Sequence, residues 1–267
     1  MLVFHLILVA IIQGITEFLP VSSSGHLVLI PLLTDWDDQS LVIDVAAHIG
    51  TLLAVVVYFR NEVANILNGV ADVCKGQFKT PNSLLFLTLS LATIPVVIAG
   101  LIVYLLNLNI LFRSLAVIGS TTLIFGLVLY ACDRIKINDL KLDSFNFRHA
   151  WILGLFQTLS LIPGTSRSGI VISGARLLGY SRREAIRVAM LMSIPTIIAA
   201  GTLTTLDLIN NPVPGKLLDS LIVIGISFVS ALGALAAMIR LLQFASFTPY
   251  VIYRIILGLV LLYLAFS

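Results

Sequence analysis

Charged side chains are scarce in this sequence. Of 267 residues, 13 are Asp or Glu and 16 are Lys or Arg, so 11% are charged, where soluble domains carry about 25%. Hydrophobic residues make up 59% of the chain and the mean hydropathy is +1.08. So few charges cannot cover a water-facing surface, which excludes a soluble enzyme and a disordered chain. The formal charge of +3 points to no nucleic-acid partner, because in a membrane chain a small Lys/Arg excess reports orientation. Cysteine is nearly absent too. Cys74 and Cys132 stand far apart, outside any C-x-x-C or His-rich spacing, so neither a disulfide framework nor a zinc motif is expected. The apolar opening, residues 1–12, has no Lys or Arg before it and no small-residue cleavage site after it. It therefore reads as mature chain rather than a secretory signal. The composition describes a polytopic membrane protein whose first partner is the bilayer.

A spanning helix needs about 20 apolar residues. Six segments qualify: 43–59, 84–105, 113–131, 186–207, 217–239 and 249–266. Two further apolar regions, 3–33 and 149–178, are each interrupted by a polar, turn-forming run. In the first it is Leu19-Pro20-Val21-Ser22-Ser23-Ser24-Gly25, and in the second Pro163-Gly164-Thr165-Ser166-Arg167-Ser168-Gly169. The flanking pieces suit re-entrant half-spans better than full crossings.

Basic residues set the sides. No Lys or Arg precedes Arg60, and the loop before it carries Asp35, Asp37, Asp38 and Asp44, so that loop lies outside. The segments with Arg60, Lys75 and Lys79, with Arg134, Lys136, Lys141 and Arg148, and with Arg176, Arg182, Arg183 and Arg187 lie inside. The loop with Asp207, Lys216 and Asp219 lies outside. These assignments agree only if each interrupted region leaves the membrane on the side it entered. The expected fold is therefore an all-α polytopic membrane protein with an inverted-topology repeat. Each half, 1–131 and 132–267 of one membrane domain, is a re-entrant hairpin followed by three spans. A shift of 144 residues places Gln13 on Gln157, Ser22 on Ser166, Ser24 on Ser168 and Gly25 on Gly169. Inverted repeats with broken helices bind ligands near the midplane, so the site is expected where the two tips meet.

Gln13 and Glu17, four residues apart, share a helix face. A buried intramembrane acid is costly and functional by default. Glu17 is either a structural hydrogen-bonding group, a base, or with Gln13 an oxygen pair for Mg²⁺ or Ca²⁺ completed by water and substrate oxygens. Ser22, Ser23 and Ser24 follow a proline. One of them caps the next helix, which leaves two hydroxyls and His26 unexplained. A hydroxyl beside His26 suits an activated nucleophile, and His26 itself is a second candidate. Arg167 in the second tip demands an anion. Its fork fits phosphate oxygens, and the plain alternative is an ion pair with Glu17. Asp44 and His48 share a helix face, as site neighbours or as exposed edge groups. His5 and His149 read as interfacial, and Arg182 and Arg183 as topology signals.

The run from Gln13 to His26 resembles the (E/Q)-x-x-x-E signature and serine-rich segment of the undecaprenyl-diphosphatase, or bacitracin-resistance, family. The run from Pro163 to Ser168 resembles that family's second signature, PGxSRSxxT. The likeness extends over essentially the whole chain. It departs where the signature's last Thr is Val171, and where Gln13 replaces an acid. The resemblance implies an integral plasma-membrane enzyme that hydrolyses undecaprenyl diphosphate to undecaprenyl phosphate and inorganic phosphate, recycling the carrier for peptidoglycan. It also implies a divalent cation and an active site open to the outer, periplasmic face. On this reading Ser23, His26, Glu17 and Arg167 are catalytic, with Ser23 favoured as nucleophile. Ser22, Ser24, Gly164, Thr165, Ser166 and Ser168 bind substrate, and Gln13 and Glu17 hold the metal. A homodimer is compatible with it. The rival reading is a transporter or flippase for an anionic polyprenyl lipid, since broken helices and inverted repeats are transporter features and fold does not imply function.

The topology is tested by labelling single cysteines placed at Asp37 and Lys141 in a chain lacking Cys74 and Cys132. They are expected to react from opposite faces of the membrane, and labelling of both from one face overturns the assignment.

Overall fold

The computed structural model describes residues 3–34, 36, 40–106, 108, 114–135, 139–210 and 217–267. Asp35, Asp37, Asp38, Lys136 and Lys216, used above to assign sides, fall outside these, as does the side chain of Asp207. The described residues form helices α1 (Val3–Phe18), α2 (Ser23–Leu27), α3 (Leu29–Thr34), α4 (Leu41–Tyr58), α5 (Arg60–Cys74), α6 (Pro81–Leu105), α7 (Leu115–Asp133), α8 (Phe147–Thr158), α9 (Arg167–Leu177), α10 (Arg182–Asn210), α11 (Leu217–Leu241) and α12 (Thr248–Phe266). The chain is an all-α polytopic membrane protein. Helices α4, α6, α7, α10, α11 and α12 are each long and apolar enough to cross a bilayer, and they coincide with the six expected spans.

The interrupted regions are short helices on either side of a turn. α1 has 16 residues, α8 has 12 and α9 has 11. The limbs dock in a crossed manner. α1 packs along α11, and α8 packs along α6. Glycines set the separations. A Cβ on Gly14 of α1 would lie 2.8 Å from the Ser227 carbonyl of α11, and one on Gly154 of α8 would lie 2.5 Å from the Ala92 carbonyl of α6. Between membrane helices, where lipid is as apolar as Leu, such close backbone approach supplies the packing energy.

The charges of residues 60–79 assign them a side and no secondary structure; Arg60–Cys74 form helix α5. Its Gly69 sits against the Asn82 carbonyl of α6, where a Cβ would come within 2.2 Å. Charge counting assigned the side and passed over the helical period.

Ion pairs tie together the helix ends that carry the basic residues. Arg182 grips Asp133 with both forks, at 2.7 and 3.0 Å, and Arg176 donates to the Asp133 and Tyr180 carbonyls at 2.9 and 2.7 Å. Arg187 pairs with Glu62 at 2.6 Å. Arg176, Arg182 and Arg187, expected as orientation signals, therefore also join α5, α7, α9 and α10.

Adding a methyl at Gly50, whose Cβ would lie 2.5 Å from the Ile224 carbonyl, forces α4 off α11. Gly50→Ala is expected to cost about 1–3 kcal/mol through overpacking, read as a lower unfolding temperature in detergent. Gly225→Ala, whose Cβ meets nothing within 4 Å, should leave that temperature unchanged.

Candidate active site

Both hairpin tips break a helix inside the membrane, where irregular backbone must find partners in protein. Each tip does so in the same local way. Ser22 and Ser166 take positive φ, 73° and 70°. Each caps the following helix, accepting from Gly25 N at 3.4 Å and Gly169 N at 3.2 Å. Each also lies 3.1 Å from the hydroxyl two residues on, Ser24 and Ser168. The tips then bond to one another. Gly164 N donates to Ser24 Oγ at 3.1 Å, and Ser168 Oγ donates to the Leu19 carbonyl at 3.0 Å.

A third element closes the junction. Arg254 of α12 is fully buried. It donates to the carbonyls of Gly164 and Thr165 at 3.0 Å each, Thr122 at 3.1 Å and Pro20 at 3.4 Å. Its guanidinium thus satisfies both tips and α7 together. The sequence reading missed Arg254. The signal was an arginine inside an otherwise apolar span, which intramembrane energetics marks as significant.

Above the junction lies a cavity of about 450 Å³. Its polar wall carries Glu17, Ser22, Ser23 and Ser24 from the first hairpin, Gly164, Ser166 and Arg167 from the second, and Asp44 and His48 from α4. The Glu17 side chain is 7% exposed and its two oxygens are divided. Oε1 receives Arg167 Nη2, while Oε2 accepts from Gln13 Nε2 at 2.7 Å and Ser23 Oγ at 3.2 Å. Nucleophile candidate, carboxylate and guanidinium are therefore in one chain of contacts, drawn from residues 150 positions apart. Of the two readings of Arg167, the ion pair with Glu17 is the one formed here.

His48 joins this cluster while its side chain stays 41% exposed. Its Nδ1 lies 2.8 Å from the Asp44 carbonyl, and Nε2 lies 3.2 Å from Gln13 Nε2 and 3.8 Å from Glu17 Oε2. A proton on Nδ1 makes Nε2 an acceptor for the Gln13 amide. Gln13 then gives both N–H groups to the cluster, and its own Oε1 is buried with no partner.

Four expected site residues do not line the cavity. Gln13 is buried behind Glu17, 1% exposed. His26 turns the other way. Its Nδ1 meets the Ser22 carbonyl at 2.7 Å, its Nε2 meets the Tyr253 hydroxyl at 2.5 Å, and its ring stacks on Tyr253. The i, i+3 spacing from Ser23 fixes the face of the Cα but not the ring's partners, and here the Ser22 carbonyl and the Tyr253 hydroxyl take both ring nitrogens. Ser168 is turned onto Leu19 as described. Thr165 is fully buried behind the tip, with its hydroxyl unpartnered. Val171, the departure from the signature, is buried in the core, so its missing hydroxyl touches packing and not the cavity. Of the two histidines expected at the interface, His149 bonds the Tyr180 hydroxyl at 2.8 Å, and His5 is buried with its ring tilted against Trp36 at 4.6 Å.

Among the described residues, no cluster of three His, Cys, Asp or Glu is arranged to hold a metal. The groups offered are the Glu17 carboxylate and the orphaned Gln13 Oε1. Both Glu17 oxygens hold donors here, so these groups can give a hard cation at most two of its six to eight ligands, and only by exchanging those contacts, with the remainder falling to water and to oxygens carried in by a ligand.

The profile of the family described as "Bacitracin resistance protein BacA" matches residues 6–260. The chain is 54% identical over 267 residues, all of both chains, to a protein of Dinoroseobacter shibae named undecaprenyl-diphosphatase. It is equally similar to the protein of that name from Roseobacter denitrificans. One from Chromohalobacter salexigens is 44% identical over 261 residues, 97% of each chain.

Arg254→Leu removes the donors of four backbone carbonyls, each of which costs about 1–3 kcal/mol when buried and unsatisfied. The variant is expected to unfold at a markedly lower temperature in detergent. Tyr253→Phe, which removes only the hydroxyl on His26, should stay within a few degrees of the parent.

Proposed function

The chain belongs to the family of the bacitracin resistance protein BacA, and from that premise we infer that it hydrolyses undecaprenyl diphosphate within the membrane at the Glu17–Ser23–Arg167 cluster. The protein is a phosphatase, and its product is the monophosphate carrier used in cell-wall synthesis. The observation that carries the site assignment is the Ser23 hydroxyl on the Glu17 carboxylate, with Arg167 on that carboxylate's other oxygen.

The geometry supports a two-step transfer. The diphosphate enters the cavity, and Arg167 exchanges part of its contact with Glu17 for phosphate oxygens, which its planar fork binds in pairs. Released on that side, Glu17 takes the Ser23 proton as Oγ attacks the terminal phosphorus. The Oγ–P bond forms, the bridging P–O bond breaks, and undecaprenyl phosphate leaves. The proton on Glu17 leaves with undecaprenyl phosphate. Water then attacks the phosphoserine, Glu17 takes a proton from it, and that proton passes to Ser23 Oγ as the Oγ–P bond breaks, giving inorganic phosphate and free Ser23. Arg167 and the N–H groups opening α9 face the charge that builds on the transferred phosphoryl group, where positioning and electrostatics supply most of the rate. Gln13 and His48 hold Glu17 in place. His26 takes no part in proton transfer on this scheme.

A divalent cation, Mg²⁺ or Ca²⁺, would be held by Glu17 and Gln13 Oε1 and would neutralise charge on the diphosphate. Because the protein offers two ligands, the cation is proposed to arrive with the substrate. The rival reading, a flippase, gives no role to a hydroxyl held on a buried carboxylate.

The orientation we propose puts the cavity mouth on the outer face of the plasma membrane. The acidic loop before α4 and the basic segments around α5 and α9 support it. The halves 1–131 and 132–267 are proposed as inverted repeats. In support, the two tips share φ, cap and serine pair, and the first limb of each hairpin packs on the middle long helix of the other half.

The test is phosphate release from undecaprenyl diphosphate by purified protein, with and without chelator. Ser23→Ala and Glu17→Gln are expected to lose about 100-fold or more, the usual cost of removing a nucleophile or base. Arg167→Lys should lose nearly as much, because charge without the fork clamps poorly. Gln13→Ala should be milder and should raise the cation requirement, and His26→Ala should keep most of the rate. An active Ser23→Ala beside a dead His26→Ala overturns the assignment of the nucleophile.

A further inference from the structure

Helix α5 takes no part in the cavity, yet three ties fix where it lies. It begins at Arg60, directly after α4 ends at Tyr58 and Phe59 breaks the helix. Near that end Glu62 pairs with Arg187, in the second turn of α10. At the other end the Asp72 carboxylate accepts from Thr80 Oγ1 at 2.6 Å, and the Asp72 carbonyl accepts from Gln77 N at 2.9 Å. Thr80 is the cap of α6. Both ends of α5 are therefore held at the level where spanning helices stop or start. A helix of 15 residues, about 22 Å long, tied in this way lies along the bilayer boundary and not across it.

The faces of α5 suit that position. Ile66 and Gly69 turn to the protein, Ile66 against the core and Gly69 against Asn82 of α6. At the helical period, Ala64, Leu67, Val70, Ala71 and Cys74 fall together on one flank, and Asn61, Asn65 and Asn68 on the other. Both flanks are exposed, Leu67 to 64%. One apolar flank and one amide flank are the pattern of a helix lying in the membrane interface. The exposed charges here have one sign. Glu62 and Asp72 are engaged as described, whereas among the described residues Arg60, Lys75 and Lys79 are exposed and make no ion pair. Phe78, between the two lysines, is 55% exposed.

We propose that α5 and the turn after it form a docking surface for anionic phospholipid. Leu67, Val70 and Phe78 sit among the upper parts of the acyl chains, and Arg60, Lys75 and Lys79 reach the headgroup phosphates. Their long stems allow a charged end at the headgroups above an apolar seat. The sign of the unpaired charge selects the lipid, because a basic side chain at a bilayer surface is attracted where that surface is negative. The surface shares no residue with the cavity, so its failure leaves the phosphatase reading untouched.

The test uses the full chain in bilayers, with its two tryptophans, Trp36 and Trp151, changed to Phe. Single tryptophans are then placed at Leu67, Asn68 and Phe78, all exposed. Lipids brominated high on the chain should quench Leu67→Trp and Phe78→Trp about twofold or more above Asn68→Trp, with aqueous iodide giving the reverse order. At equal mole fraction, brominated phosphatidylglycerol should quench Phe78→Trp as if enriched about threefold or more over brominated phosphatidylcholine. That enrichment should fall to about one in Lys75→Gln/Lys79→Gln and shrink in high salt. The two lysines hold nothing else, so the unfolding temperature of the double variant in neutral detergent should stay within a few degrees of the parent. Equal access of iodide to Leu67→Trp and Asn68→Trp overturns the seating in the interface. Shielding of Leu67→Trp from both iodide and brominated lipid shows a protein on that flank and overturns it as well. Equal quenching by the two lipids, or an enrichment that survives the double change, overturns the assignment to anionic lipid.

Discussion

A broken helix inside hydrocarbon has peptide groups with no water to turn to, and this protein has two such breaks face to face. The cost of leaving them unsatisfied governs the centre of the molecule. The tips meet because each supplies what the other lacks. The Gly164 N–H finds Ser24, the Leu19 carbonyl finds Ser168, and the surplus carbonyls of Pro20, Gly164 and Thr165 all find Arg254. Thr121 of α7 adds a bond to the Pro163 carbonyl at 2.5 Å. The long helices can then be read as the frame that holds this junction together.

Arg254 and Arg167 show two uses of one side chain. Arg254 faces only carbonyls, all fixed, so its charge is spent on holding backbone. Arg167 faces one carboxylate and an open cavity. A salt bridge buried in this way is weak evidence for stability, because desolvation offsets much of the attraction. Its value lies in what happens on exchange. An incoming phosphate can take over the guanidinium without leaving it bare, and the carboxylate it gives up is then free to accept a proton. On the proposed mechanism the resting ion pair holds a base in an inactive form until the anion that needs it arrives.

Much of this was legible from composition and spacing. Six spans, two interrupted regions and the meeting of the tips all follow from apolar run length and from where Pro, Gly and Ser break it. Glu17, Ser23 and Arg167 were legible because each is a poor fit to hydrocarbon. What was not legible depended on direction. Nothing in the run Ser23-Ser24-Gly25-His26 shows that the imidazole turns back on its own cap and stacks on Tyr253, a residue 227 positions away. His48 lay too near a presumed edge to stand out until α4 was packed beside α1. Arg254 was visible as a charge in a span, but its purpose required four carbonyls from three separate segments. Side-chain identity reports which groups need partners; tertiary packing decides which partners they get.

The two tips are alike in backbone and unlike in chemistry, and the difference has a physical reason. At the register shift of 144 that aligns their serines, Ser23 falls on Arg167 and Glu17 falls on Leu161. The glutamines aligned by the same shift have also parted company: Gln13 serves Glu17, whereas Gln157 donates to Thr196 at 2.9 Å. Two identical tips would place either two acids or two cations against one phosphate. Two acids would repel the substrate, and two cations would leave nothing to take the hydroxyl proton. Phosphoryl transfer to a side chain needs a nucleophile with its base on one side and positive charge on the other. Matching backbones bring the tips into register, and unlike residues at equivalent positions then give the cavity both signs of charge within one set of hydrogen bonds. The junction requires likeness for its bonding and difference for its chemistry, and positions 17, 23, 161 and 167 are where the difference is placed.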